Sequence, residues 1–134
     1  MGARRRSRES ALKVLFAREV NRLPVDEVLE LHWQHLEERH EGADYAEQLA
    51  RGAAGQIEDL DRRIQGVSTH WKISRMACVD RNILRLAAWE LFHSPEVPKR
   101  VALNEAIEIA KRFGAEDSWA FINGILDKLA EDLP

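Results

Sequence analysis

The feature that most constrains this chain is the period of its apolar residues. Ala46, Leu49, Ala53, Ile57, Leu60 and Ile64 recur at steps of three or four, the spacing that lines one face of an α-helix. This stripe predicts one long helix ending at Gly66, with Arg62 and Arg63 in its last turn, where cations suit the helix dipole. Leu12, Leu15, Phe16 and Leu23 make an earlier stripe, with Ser7 as its expected N-cap and Pro24 as its break. Val25, Val28, Leu29, Trp33 and Leu36 make a second helix, and HEGAD at 40–44 reads as a loop. The stretch HWKISRMACV is less regular, and Trp71, Met76 and Val79 suggest a short connecting helix. Asp80 then opens a stronger helix carrying Ile83, Leu84, Ala87 and Leu91, which the two prolines of SPEVP stop. Val101, Leu103, Ala106, Ile107 and Ala110 form the next, closing at Phe113-Gly114 behind Lys111 and Arg112. AEDS at 115–118 supplies capping side chains for a last helix with Phe121, Ile122, Ile125, Leu126 and Leu129.

No run of four or more residues alternates with strand-like composition. The expected fold is therefore all-α, about six or seven helices. The breaks suggest two helical halves, roughly 1–66 and 67–134. Neither half buries its own stripe, so one packed domain over 1–134 is expected. Gly52, Gly55 and Gly124 fall inside expected helices, where each costs about 1 kcal/mol against alanine. Close helix–helix approach is the expected reason for keeping them.

Charge is distributed unevenly. The chain holds 20 Lys+Arg against 23 Asp+Glu, a formal net charge of -3. Yet Arg4, Arg5, Arg6, Arg8 and Lys13, offset by Glu9, give residues 1–13 a side-chain balance of +4, leaving -7 for the rest. Such segregation fits a polyanionic partner, and it equally fits a solubilising tail. No apolar run is long enough to span a bilayer. The basic start leads into no apolar stretch, since Glu9, Ser10 and Lys13 interrupt, so no secretory signal is read. Cys78 is the lone cysteine, which excludes an internal disulfide and a Cys-based zinc site and fits a cytoplasmic protein.

Catalytic signatures are missing: there is no Gly-rich phosphate loop, no GxSxG and no HExxH. His32 and His35 stand three apart beside Trp33 and read as exposed polar residues rather than metal ligands. Asp80, Glu90, Glu105 and Glu108 read as solvated helical carboxylates, and Cys78 as a small core residue. These residues describe a binding protein, not an enzyme, with no cofactor and no metal.

Three segments carry a resemblance. RRRSRESALKVLF at the start, VDRNILRLAAWEL in the middle and VPKRVALNEAIEIAKRFGAEDSWAFINGILDKL at the end resemble, in order and spacing, the NusB family of bacterial transcription antitermination factors. The resemblance spans nearly the whole chain and is weakest over 24–70. It implies two small helical bundles and no catalysis. It also implies a complex with NusE, the small-subunit ribosomal protein. That complex binds the single-stranded boxA element of ribosomal RNA leaders and, with RNA polymerase and other Nus factors, reads through terminators.

The same resemblance assigns residues. Arg4, Arg5, Arg6 and Arg8, with Lys13, would meet RNA phosphates; if the first arginines lie on a flexible arm, RNA would order them. Losing those four arginines is then expected to weaken RNA binding without lowering thermal stability. Phe16, Asp117 and Phe121 would also contact RNA. Phe16 equally fits the apolar stripe, and Phe121 shares that ambiguity. Trp119, if exposed, would add a stacking surface. Asp80 would pair with basic side chains of NusE; Arg75, Arg81 and Trp89 are added as further candidates that the resemblance itself does not assign. Two other readings stay open. A NusB-type domain also precedes ribosomal RNA cytosine methyltransferases, though the chain ends at Pro134 with no cofactor-binding segment. A homodimer that masks the RNA surface is the other.

Overall fold

The computed structural model describes residues 2–131 and 133; Met1, Asp132 and Pro134, which bound the domain expected over 1–134, lie outside them. The described residues form seven α-helices and no strand: α1 Ala3–Asn21, α2 Val25–Leu31, α3 Ala43–Gly55, α4 Ile57–Val67, α5 Cys78–His93, α6 Lys99–Phe113 and α7 Ser118–Glu131. The all-α expectation holds, and so does the helix number. α5 is the hub, since α1, α3, α4, α6 and α7 all pack on it. One apolar cluster runs from Leu12 and Leu15 of α1, through Leu84 of α5, to Leu126 of α7. Its burial is the main drive for assembling both halves.

Four local expectations are corrected. α1 starts at Ala3 with Gly2 at its N-cap, so Ser7 lies inside the helix. Its buried hydroxyl sits 2.9 Å from the Ala3 carbonyl oxygen and 2.7 Å from that of Gly42, tying α1 to the loop before α3. The first arginines accordingly stand on helix rather than on a flexible arm. The long third helix is two helices: Gln56, at φ -129 and ψ 28, separates α3 from α4. Gly55 sits exposed at that break, where glycine's low helix propensity favours stopping. The apolar step survives the bend because Leu60 and Ile64 still turn inward, with α4 packed on α5 and α7. The connecting helix shrinks to a 3₁₀ turn at Ile73–Arg75.

The glycines divide. At Gly52 a methyl group would overlap the indole of Trp89, so close approach is the reason for glycine there. At Gly55 and Gly124 nothing lies near enough for that explanation.

After α2 the chain winds into a π turn, His32–Leu36, with the Glu37 N–H donating to the His32 carbonyl at 3.0 Å. The turn buries His32 and pushes Leu36 out to 71 % exposure. The expectation that His32 is exposed is thereby overturned.

Candidate nucleic-acid interface

The first two turns of α1 decide what the arginine cluster can do. At 3.6 residues per turn, four arginines within five positions cannot share a face. Arg8 points inward and is 6 % exposed. Its guanidinium donates to Glu90, Nε at 2.9 Å to Oε1 and Nη2 at 3.0 Å to Oε2. The Tyr45 hydroxyl donates to the same carboxylate. Burial, and then that bond to Glu90, push the Tyr45 hydroxyl above its ordinary pKa. Arg5 clamps Glu105 of α6 with two bonds, 3.0 Å from Nε and 2.6 Å from Nη2. That clamp holds the Glu105 carboxyl below its usual range.

Arg8, and with it the surface reading of Glu90 and Glu105, is corrected. Buried Arg8 needs an internal counter-charge, and half-buried Arg5 takes one as well; α5 and α6 supply them.

Arg4 and Arg6 face outward. The Arg4 guanidinium carbon lies 3.5 Å from the centroid of the Tyr45 ring. Arg6, Lys13, Phe16 and Val20 succeed one another at helical spacing along the open face of α1, and all four are exposed. Phe16 is 38 % exposed, which resolves its ambiguity: it sits on a rim and not in the core. Beside it an apolar groove of about 470 Å³ runs between α1, the π turn and the end of α6, lined by Leu12, Leu36, Val79 and Phe113. Trp119 is 42 % exposed, and Lys111 Nζ stands 5.4 Å from its ring centroid. Arg112 bridges from α6 to Glu9 of α1 at 2.7 Å.

A second constellation gathers at the start of α7. Asp80, Arg75, Asp117 and Phe121 line one depression of about 220 Å³ with Trp71 and Met76. The structure thus joins two pairs assigned separately from sequence, one to RNA and one to the protein partner. Asp80 Oδ1 is buried there with no hydrogen-bond partner among the described residues. The Ser118 hydroxyl accepts the Ala115 N–H at 2.9 Å and so holds the entry to α7, the capping role read in AEDS.

Two partner assignments fall away. Trp89 is 8 % exposed and packed against Gly52, so its indole belongs to the core. Arg81 is half-buried and spent on structure: Nη1 donates to the carbonyls of Ile73 at 3.1 Å and Met76 at 2.7 Å, and Nη2 pairs with Glu19. Arg85 adds a 2.8 Å bond to Glu19 and grips Asp61. Burial alone would raise the Glu19 carboxyl, but donors from Arg81, Cys78 and Arg85 outweigh it and hold the pKa at about 2.

One arrangement imitates a catalytic triad. Ser10 Oγ lies 2.9 Å from His40 Nε2 and donates to Glu37 Oε1 at 2.6 Å. However, His40 Nδ1 accepts the Gly42 N–H at 3.0 Å, so in the neutral ring the proton sits on Nε2. The imidazole therefore donates to Ser10 and has no free lone pair with which to activate it. Burial, and then the charge of Arg6, lower the His40 pKa and favour that neutral ring. The cluster locks a loop and does not make a nucleophile.

Sequence reasoning passed over Trp71, Leu36, Glu37 and the Lys111–Arg112 pair. Trp71 was read as part of a connecting helix that the structure reduces to a 3₁₀ turn beginning at Ile73, and it stands outside that turn at 56 % exposure. Leu36 looked like core because the π turn rotates it off its expected face.

The profile of the NusB family matches residues 5–131. A transcription antitermination protein NusB from Sorangium cellulosum is 47 % identical over 133 residues, covering 99 % of this chain and 95 % of the relative. The solved structure of NusB from T. maritima superposes with a TM-score of 0.87 at 38 % identity, over 96 % of this chain and 91 % of that one. A chain of the crystal structure of antitermination factors NusB and NusE in complex with dsRNA gives 0.81 at 27 % identity, over 95 % of each. With its helices, their order and nearly its full length matched, this chain belongs to the NusB family.

Proposed function

We propose that this chain is a transcription antitermination factor acting as one RNA-binding domain over 1–134. With NusE it binds boxA of ribosomal RNA leader transcripts. Within the complex of RNA polymerase and other Nus factors it favours read-through of terminators. It works by binding and not by catalysis, in the cytoplasm where those partners meet. The observation that carries this reading is the exposed face of α1, where Arg6, Lys13 and Phe16 align in a chain matched to NusB almost end to end. Cations at helical spacing suit the phosphates of a single strand, and an aromatic among them suits its bases. The depression of Asp80, Arg75, Asp117 and Phe121 then serves as the ground where RNA and NusE meet. One ion pair at half-buried Asp80 does not make an interface, so exposed Trp71 supplies the apolar contact there.

The test is a titration of labelled boxA RNA and a scrambled control, with and without NusE, at two salt concentrations. The expected result is tighter binding of boxA when NusE is present, weakening as salt rises. If the chain together with NusE ignores boxA at low ionic strength, the proposal is wrong.

A further inference from the structure

The groove beside Phe16 is lined by a carboxylate that phosphate binding does not explain. Glu37, like Lys13, is one of the few polar residues lining this apolar space of about 470 Å³, which Phe16 lines as well. Its Oε1 is engaged: Ser10 Oγ donates at 2.6 Å and His32 Nε2 stands 2.7 Å away. Its Oε2 meets Arg6 Nε at 3.7 Å and Lys13 Nζ at 4.0 Å, both beyond hydrogen-bond length. The carboxyl is held charged. Burial alone would raise its pKa, but bonds from Ser10 and His32 and the charge of Lys13 outweigh that and lower it.

We propose that this groove is a base pocket, in which one unstacked RNA base lies against Phe16 and donates from its amino group to Glu37 Oε2. Arg6 and Lys13, at the rim, hold the neighbouring phosphates. Each wall sets a requirement. An anionic oxygen rejects a phosphate and needs an N–H donor. The apolar walls need a flat or greasy body. An aliphatic protein side chain would satisfy the walls but leave Oε2 without its bond. A nucleobase offers both a π face and a donor edge, and single-stranded RNA is read by splaying such bases onto aromatic side chains. Adenine, cytosine and guanine carry an exocyclic amino group. Uracil's one N–H is flanked by two carbonyl oxygens that the carboxylate repels. Glu37 would therefore select an amino-bearing base, as carboxylates do when they accept from cytosine N4.

This inference rests on the RNA reading above, and its test separates the two. Labelled boxA RNA is titrated against the chain bound to NusE. Its amino-bearing nucleotides are replaced singly by analogues lacking the amino group: purine riboside for adenosine, inosine for guanosine, pyrimidin-2-one riboside for cytidine. One position is expected to lose about tenfold in affinity. In Glu37→Gln and Glu37→Met that loss is expected to shrink below about threefold, in keeping with removal of one good contact. Phe16→Leu, which leaves Glu37 untouched, is expected to weaken both RNAs while keeping the amino preference. Wild-type protein that binds boxA but shows no amino dependence at any position overturns the base pocket alone. So does an amino dependence that survives unchanged in both Glu37 variants. No binding of unmodified boxA by wild type overturns the RNA reading and the pocket with it.

Discussion

Arg8 and Arg6 stand two residues apart on α1 and occupy different media. Arg8 lies in the interior with Glu90 and Tyr45, and Arg6 keeps 54 % of its side chain in solvent. The same division runs through the whole arginine turn, with Arg5 joined to Glu105 and Arg4 laid over Tyr45. Charge counted along a chain is therefore not charge presented to a partner. Of the basic block read from residues 1–13, two members are answered by carboxylates from α5 and α6. Those carboxylates looked like solvated surface for the same reason that the arginines looked like an arm: neither partner is visible from its own segment.

The sharpest way to break this comparison is Arg8→Ala. It leaves Glu90 buried beside Tyr45 without its cation, and a loss of about 3–5 kcal/mol in unfolding free energy is expected by urea denaturation. Removing all four arginines must then lower stability as well as affinity, contrary to the expectation from sequence. A four-arginine variant that melts like wild type would show the inner pair to be idle.

Phe16→Ala sharpens the outer side. It is expected to cost about 1–3 kcal/mol of RNA binding for the one base it stacks, read by fluorescence anisotropy. Its rim position predicts a smaller change in melting temperature than a core phenylalanine would give.

Acid probes the interior ion pairs. The Glu19 carboxyl has its pKa lowered from 4.5 to about 2, so its contribution is present above 4.5 and lost as pH falls toward 2. Allowing for its exposure, that contribution is about 1 kcal/mol. Glu19→Gln should accordingly flatten the decline of stability across this window, as tracked by thermal melts at a series of pH values. An identical decline in wild type and variant would remove Glu19 from the account.

The smallest effect belongs to Arg6→Ala. Stability should stay within about 0.5 kcal/mol of wild type, as for other surface changes. The slope of log affinity against log salt should become shallower by about 0.7, one phosphate contact on a single strand. An unchanged slope would take Arg6 off the RNA face.

Much of the fold was legible because helical period is a local property. Ala46, Leu49, Ala53, Leu60 and Ile64 announce their buried face wherever the chain bends, while Ile57 at the break stays half-buried. What escaped was the break at Gln56, because the apolar step continues across it. Of the site, Lys13, Phe16 and Trp119 were readable as candidates, since their residue types suit RNA wherever they are exposed. Their exposure was not readable, and neither was the removal of Arg81 and Trp89 from the partner surface. Those outcomes depend on Glu19, on the carbonyls of Ile73 and Met76, and on Gly52. All but the two carbonyls lie far along the chain.

By itself the sequence determined the all-helical class, most inward faces, the basic start and the family resemblance, because each of these depends on neighbours a few residues away or on motif order. Only the tertiary structure decided which arginines face water, why Gly52 must be glycine, and that Glu37 and Phe16 line one groove. Those facts are set by side chains that packing brings together from distant turns, and no single stretch of sequence contains both halves of such a contact.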